Sequence, residues 1–127
     1  MSLTLEFQEN VAVLTHDDGK RNVFSPDAIR DFNEALDEVE AKSASLMWLG
    51  RDGCFSAGFD LKVISSGDAD GAAAMVKAGG ALAFRIFTFP HPVVCAVTGH
   101  CLALGSVMLV CADTVSYTHL RAHETRT

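Results

Sequence analysis

Two glycine-containing segments have backbones that could do chemistry. Residues 54–62 read Cys-Phe-Ser-Ala-Gly-Phe-Asp-Leu-Lys and lie between an apolar run and a short helical pattern. Residues 99–105 read Gly-His-Cys-Leu-Ala-Leu-Gly and open a second apolar segment. Glycine permits sharp turns that expose successive amides, and the first amides of a helix lack intrahelical acceptors. Two such donor clusters converging on one oxygen would hold negative charge that develops on a carbonyl.

Neither turn by itself predicts an oxygen-binding site, because a tight connection between a strand and a helix is the commoner reason for such glycines. Asp60 is interpreted as the cap of the helical turn that begins at Leu61. His100 is interpreted as a packing residue, since a histidine in such a turn seldom transfers protons. The chemistry therefore depends on the two turns acting together.

The remaining patterns predict the elements that position these turns. Apolar alternation indicates a hairpin, and Ser25-Pro26-Asp27 indicates the start of an amphipathic helix. Gly79 and Gly80 indicate a close-packed middle in a second helix. The predicted order is strands at 3–7 and 11–14, a helix at 26–41, a strand at 46–49 buried on both faces, a helix at 72–89, a buried strand at 93–97, a turn at 98–100 and a buried helix at 103–111.

Length and charge limit the function classes. A chain of 127 residues, about half of them apolar, predicts one globular domain. The formal charge of −6 comes without a basic stripe, which argues against a nucleic-acid or anionic-membrane partner. The sequence begins without a leader pattern and contains no run apolar enough to span a bilayer, so we expect a cytoplasmic protein.

The cysteines and histidines do not predict a metal centre. Cys54, Cys95, Cys101 and Cys111 show no C-x-x-C spacing and stand among apolar residues, so they are interpreted as small buried thiols. His119 and His123 are four residues apart, but no third ligand stands nearby. We therefore expect neither a metal site nor a disulfide framework.

The order of these segments resembles the crotonase family, which includes enoyl-CoA hydratases and isomerases. The resemblance rests on the hairpin, the Asn22-Val23-Phe24-Ser25 segment, the F-S-A-G-F-D-L-K loop, the P-x-P-V-V strand and the G-H-C-L-A-L-G turn. It covers residues 3–113. It implies an α/β fold built as a spiral of strand-strand-helix units, with homotrimers or hexamers for the full-length parent.

The same resemblance implies a ligand and a site. The ligand is an acyl-CoA thioester, so coenzyme A enters as part of the substrate and no separate cofactor is expected. The family's oxyanion hole, which stabilises the thioester enolate, matches the backbone amides of Phe59 and Leu104. Lys20 or Lys62 is a further candidate near the phosphates. The coenzyme A contacts match Arg21, Val23, Ala57, Gly58, Asp60, Leu61 and Gly105.

One departure from the family leaves the reaction open. Hydratases carry a glutamate where this sequence has Val107, and their second glutamate would lie beyond Asp113. The parent is therefore expected to be an isomerase, a hydrolase or a divergent hydratase, and this chain is expected to be inactive as a hydratase. The alternative is a noncatalytic module that binds CoA thioesters or oligomerises. An unrelated doubly wound domain is disfavoured because G-x-G-x-x-G is absent.

The last residues differ in character from the rest. Residues 114–127 are predicted to be a tail, non-native or disordered, outside a crotonase-like domain of residues 1–113. We therefore expect a truncated fold. A spiral cut partway leaves apolar strands short of covering layers, so the chain alone is expected to self-associate or fold poorly.

Overall fold

The protein is an α/β structure built on one five-stranded sheet, with two short strand pairs beside it. The computed structural model describes residues 3–51, 53–97, 99–101 and 114–117, and the side chains of residues 3–51 and 53–96. The elements are β1 (Leu3–Gln8), β2 (Val11–His16), β3 (Val23–Phe24), α1 (Pro26–Ala41), β4 (Ser45–Leu49), β5 (Gly53–Ser56), β6 (Gly58–Phe59), α2 (Leu61–Ile64), α3 (Ala69–Phe87), β7 (Val93–Val97), β8 (Gly99–Cys101) and β9 (Thr114–Tyr117).

The main sheet has the order β1-β2-β4-β7-β9. Strands β1 and β2 form the predicted antiparallel hairpin, with Leu5 opposite Leu14, and the other pairs are parallel. Parallel neighbours need crossovers, and α1 and α3 lie in the two connections that lead from β2 to β4 and from β4 to β7. The α/β class predicted from the sequence is confirmed.

Helix α1 has the predicted bounds because its start is specified locally. The Ser25 hydroxyl accepts a hydrogen bond from the amide of Ala28 at 3.1 Å, and Pro26 occupies the first turn, where its missing N–H costs nothing. The buried face of the helix packs into the core through Ile29, Phe32, Leu36 and Val39, among others.

Helix α3 begins three residues earlier than predicted. The Asp68 carboxylate accepts from the amide of Gly71 at 3.0 Å, so Asp68 caps the helix and Ala69 is its first residue. Gly79 is buried, as a close-packed middle requires, whereas Gly80 is exposed. None of the helices in the described part of the chain is long and apolar enough to cross a membrane.

The two faces of the main sheet are buried to different extents. Leu46 and Trp48 of β4 are buried in an aromatic core, in which the Trp48 ring lies 4.9 Å from both the Phe32 and the Phe55 ring. Met47, which points to the other face, is 37% exposed. Burial of this strand on both faces was therefore a wrong prediction, because among the described side chains the helices pack on one face only.

Two predictions near the carboxyl end are corrected. Gly99 and His100 lie in strand β8, which pairs with β5, and not in a turn. Thr114–Tyr117 forms strand β9 beside β7, so these four residues lie in the sheet and not in a tail. The helix predicted at 103–111 and the rest of the predicted tail, 118–127, lie outside the described residues.

Candidate functional site

One cavity of about 520 Å³ opens between the loop after β2 and the segment that leads into α2. It brings together two groups of residues, 18–23 and 57–62, that are far apart in the chain. Of the seven residues that the family resemblance assigned to coenzyme A contacts, five line the cavity, together with both candidate lysines. Gly58 does not line it, and Gly105 lies outside the described residues. The lining residues are Asp18, Lys20, Arg21, Val23, Ala57, Phe59, Asp60, Leu61 and Lys62. Contact of these residues with coenzyme A stays a prediction.

Asn22 holds the two sides of the cavity together. The residue is fully buried, and its backbone has a φ of 53°, a left-handed conformation that asparagine tolerates better than most residues. Its side-chain amide donates hydrogen bonds to the carbonyls of Cys54 (3.2 Å) and Phe55 (3.1 Å), and also to the carbonyl of His16. One side chain therefore satisfies backbone groups of β2 and β5 that would otherwise be buried without partners.

Ser56 extends this connection to the predicted first oxyanion donor. Its hydroxyl donates to the carbonyl of Asn22 at 2.8 Å and accepts from the amide of Gly58 at 3.0 Å. Gly58 has a φ of 92°, which only glycine adopts readily, and it turns the chain directly before Phe59. Strands β3 and β6 pair in parallel through Val23 and Gly58. The position of Phe59 is thus fixed by hydrogen bonds and by a glycine turn.

Asp18 organises the opposite wall of the cavity. Its carboxylate accepts from the amides of Lys20 (2.7 Å), Asn22 (2.9 Å) and Val23 (3.2 Å). Burial would raise the pKa of Asp18, but these three backbone donors, with a smaller contribution from His16, outweigh it and leave the pKa below its ordinary value. Asp18 is therefore held as a carboxylate that shapes the loop.

Asp60 has the predicted capping role. Its carboxylate accepts from the amide of Lys62 at 3.0 Å and starts α2 at Leu61. Lys20, Arg21 and Lys62 supply three positive charges to the cavity lining against the two carboxylates of Asp18 and Asp60. Val23, Ala57, Phe59 and Leu61 supply apolar surface. A ligand with anionic groups on a flexible, partly apolar body fits this combination.

The second glycine turn lies only partly within the described residues. Strand β8 pairs in parallel with β5, with Cys54 opposite His100, so the strand that leads into the second turn runs beside the first loop. Leu104, Gly105 and Val107 lie outside the described residues. The convergence of the Phe59 and Leu104 amides on one oxygen stays a prediction.

His16 is a buried titratable residue that lies two positions beyond the strand predicted at 11–14. It ends β2, is fully buried, and packs against the rings of Phe24 and Phe32 at centroid distances of 5.6 and 5.2 Å. Neither ring nitrogen has a hydrogen-bond partner among the described residues. Burial lowers the pKa of His16 to about 4, and the charges of Asp18 and Asp17 offset this only in part. His16 is neutral at pH 7.

No cluster of three candidate metal ligands occurs in the described part of the chain, which contains Cys54 and Cys95. Cys95 is fully buried, as predicted, whereas Cys54 is only half-buried. The Cys54 thiol donates to the carbonyl of Arg21 at 3.2 Å, and burial raises its pKa. Cys54 therefore adds another link between the walls of the cavity and is a poor nucleophile.

Sequence alone indicated every lining residue except Asp18, and it missed Asp18, Asn22 and Ser56 as the residues that position the others. Asn22 and Ser56 lay inside segments already interpreted as family motifs. The one local signal was the Asp-Asp-Gly run at 17–19, which is typical of a loop stabilised by side-chain acceptors. The hydrogen bonds of Asn22 to carbonyls 32 and 33 residues away have no sequence signature.

Comparison with known proteins decides the family. The sequence model described as enoyl-CoA hydratase/isomerase matches residues 6–120. The chain belongs to this family. A Thermus thermophilus protein whose name places it with the enoyl-CoA hydratases is 32% identical over 108 residues, which cover 81% of this chain and 43% of that protein.

Solved structures of enoyl-CoA hydratase/isomerase proteins share the fold. A Pseudomonas syringae member of the family matches with a TM-score of 0.88 and 37% identity, over 91% of this chain and 50% of that one. A Mycobacterium tuberculosis enoyl-CoA isomerase matches with a TM-score of 0.84 and 34% identity, over 90% and 50%. The crotonase fold is confirmed. The chain spans about half the length of the relatives it matches.

Proposed function

We propose that this enoyl-CoA hydratase/isomerase family chain carries the site that binds the coenzyme A portion of an acyl-CoA thioester. The observation that carries the proposal is that one cavity has two kinds of lining. The cations of Lys20, Arg21 and Lys62 and the apolar side chains of Val23 and Leu61 all face it. Phosphate groups fit the cations, and the less polar arm of coenzyme A fits the apolar wall. Coenzyme A then enters as part of the substrate, without a separate cofactor.

Stabilisation of the thioester enolate is the chemistry we assign to the two glycine turns. In this proposal the amide of Phe59 is the first donor, and the Asn22–Ser56–Gly58 hydrogen bonds hold it in place before substrate arrives. Leu104 supplies the second amide. Preorganised donors of this kind stabilise a transition state because they need no rearrangement when charge develops, and loss of one costs about 3 kcal/mol.

The reaction that follows enolate formation requires a proton donor and acceptor. The relatives include proteins named as hydratases and as an isomerase at similar identity, so both reactions stay open. The position matched to the first hydratase glutamate is Val107, which cannot transfer a proton. We therefore expect no appreciable hydration of a short enoyl-CoA by this chain.

A noncatalytic CoA-thioester-binding or oligomerisation module is the second candidate, and one observation favours it. Among the described residues that line the cavity, the carboxylates are Asp18 and Asp60. Both accept hydrogen bonds from backbone amides that form their own loops. Both carboxylates therefore shape their own loops, and binding without turnover is consistent with this part of the site.

Calorimetric titration with coenzyme A and with acetyl-CoA tests the binding proposal. The double variant Lys20→Ala, Arg21→Ala removes two cations of the lining, and we expect it to weaken binding by about tenfold or more, with greater loss at low salt. Lys77→Ala is the matched control, because Lys77 is exposed on α3 and does not line the cavity. Equal binding by all three proteins, or none by the wild type, would contradict the proposal.

An assay of short enoyl-CoA hydration tests the expectation that rests on Val107. Binding without measurable hydration agrees with the Val107 argument, and turnover would require an acid or base outside the groups discussed.

Trimers or hexamers of a full-length parent and a cytoplasmic location belong to the same proposal. Sedimentation analysis of that parent and cell fractionation test them.

A further inference from the structure

The loop that carries Lys20 and Arg21 into the cavity is attached to the other wall through three successive backbone carbonyls. The carbonyl of Arg21 accepts a hydrogen bond from the amide of Ala57 at 2.9 Å. The carbonyl of Asn22 accepts from the hydroxyl of Ser56 at 2.8 Å. The third carbonyl, that of Lys20, is bound by a side chain that is not part of the cavity lining.

Arg51 is the residue that binds the Lys20 carbonyl. Its Nη1 donates a hydrogen bond to that carbonyl, and its Nε lies 3.3 Å from Oδ1 of Asp17. The same Asp17 oxygen accepts from the amide of Gly19 at 2.9 Å. One guanidinium therefore holds the loop on both sides of Gly19, directly before the two cations of the lining.

Gly19 gives this loop a conformational freedom that the Arg51 contacts restrict. Its φ is 76°, and a Cβ built on it would meet no atom within 4 Å, so its neighbours do not pack closely around it. The side chains of Lys20 and Arg21 are exposed, so the position of their backbone decides where their charges can reach. Asp18 binds amides of this loop, whereas Arg51 binds a carbonyl and a carboxylate, so the two residues fix different groups.

The geometry of the Arg51 contacts matters more than their contribution to folding. The Arg51 side chain is 33% exposed and that of Asp17 is 54% exposed, and ion pairs with this much solvent contact contribute little to stability. A planar guanidinium, however, holds two acceptors in a fixed mutual orientation, which a lysine ammonium does not reproduce. The contacts therefore serve to place the loop.

We propose that Arg51 is a positioning residue, which places the charges of Lys20 and Arg21 where they meet the phosphates of a CoA thioester. This inference rests on the proposed function, because it takes those two cations as phosphate contacts. Arg51 acts through the loop, since it does not line the cavity. A loop that is already ordered binds its ligand more tightly, because binding does not have to order it.

Titration calorimetry with coenzyme A distinguishes position from charge. Arg51→Lys keeps the positive charge but loses the two-point contact, and we expect it to weaken binding by about fivefold or more. Asp17→Ala removes a negative charge near an anion site, so charge alone would strengthen binding. Loss of the contacts to Arg51 and to the Gly19 amide should instead weaken it by about threefold or more.

The matched controls come from an exposed ion pair on α1 that lies outside the lining, Arg30 with Asp27. Arg30→Lys and Asp27→Ala make the same chemical changes at this pair and should leave the affinity for coenzyme A unchanged. A similar loss of affinity in these controls would show that the effect at Arg51 is not specific to the loop, and would overturn the inference.

Amide spectra of the ligand-free protein test the positioning without any binding. We expect Arg51→Lys to shift the amide signals of Gly19, Lys20 and Arg21 while the signals of β1 and α3 stay in place, as a displaced loop in a folded chain requires. Unchanged loop signals would overturn the inference.

The affinities separate this inference from the proposed function. If the wild type binds coenzyme A and either Arg51→Lys or Asp17→Ala binds it equally well, the positioning role is wrong and the proposed function stands. Tighter binding by Asp17→Ala would show that charge and not position decides the affinity, and would also overturn the inference. Absence of binding by the wild type would contradict the proposed function itself.

Discussion

The Ser56 hydroxyl lies 2.8 Å from the carbonyl oxygen of Asn22 and donates a hydrogen bond to it, which joins the two walls of the candidate site. The same hydroxyl accepts from the amide of Gly58, one residue before the proposed oxyanion donor. The geometry of the first donor thus depends on a buried pair that need not touch the ligand. We therefore expect substrate binding and the stability of the fold to be coupled through these two residues.

Asn22→Ala should destabilise the protein by about 2–4 kcal/mol, because it leaves the carbonyls of His16, Cys54 and Phe55 without this donor and places alanine at a positive φ. Urea unfolding at pH 7 measures the change. Asn22→Gly separates the two causes, since glycine accepts the backbone conformation but restores no hydrogen bond. A loss by Asn22→Ala below about 0.5 kcal/mol would contradict the assigned role.

Acidification should destabilise the fold through His16. Its pKa is about 4 in the folded protein and 6.5 in the reference state, so the unfolded chain binds the proton first. The stability that neutral His16 confers is complete above pH 6.5 and is lost as the pH falls from 6.5 toward 4, by about 3 kcal/mol in total. His16→Leu should flatten this part of the profile in urea unfolding at several pH values. A wild-type profile level from pH 6.5 to 4 would contradict the burial argument.

Arg85 should stabilise the packing of α1 against α3. Its guanidinium donates to the carbonyl and the side-chain oxygen of Asn33, both at 3.1 Å, and to Asp37 at 2.7 Å. Asp37 is mostly exposed, so the bonds to Asn33 carry most of the effect, and Arg85→Ala should cost about 1–2 kcal/mol in thermal or urea unfolding.

Arg30→Ala is the matched control for Arg85. Arg30 pairs with Asp27 on the exposed surface of α1, with both side chains more than 60% exposed. Its loss should change the free energy of unfolding by less than about 0.5 kcal/mol. Equal effects of the two substitutions would show that Arg85 is an ordinary surface residue.

Gly50→Ala should destabilise the protein because the added Cβ would lie 2.6 Å from the Cα of Phe55, a backbone atom that cannot move aside cheaply. We expect a cost of about 1–3 kcal/mol in urea unfolding. Gly19→Ala is the comparison, since Gly19 has a φ of 76° with open space around it and so tests backbone strain without a clash. A larger loss at Gly19 than at Gly50 would contradict the steric argument.

Local signals explain which parts of the structure the sequence predicted. The bounds of α1 followed from Ser25 and Pro26, since a cap and a first-turn proline act within a few residues. The start of α3 was missed because Asp68 follows a polar run, in which its capping role was not distinguished from that of its neighbours.

Long-range contacts explain what the sequence could not predict. The exposure of Met47 depends on which layer covers each face of the sheet, and the apolar run of β4 is the same whether one face or both are buried. The role of Asn22 depends on carbonyls of β5 brought beside it by folding. The lining residues other than Asp18 were predicted through the family resemblance, because that resemblance carries their spatial arrangement with it.

Amide chemical shifts during a titration test the central claim most directly. The chain, labelled with nitrogen-15, is titrated with a non-hydrolysable acyl-CoA in which methylene replaces the thioester sulfur. We predict saturable shifts of the amides of Arg21, Val23, Ala57, Phe59 and Asp60 that fit one dissociation constant, with Phe59 responding more to this analogue than to coenzyme A alone. Absence of saturable shifts at these amides, or shifts confined to the surface around Asp37 and Arg85, would contradict the claim that this cavity binds an acyl-CoA.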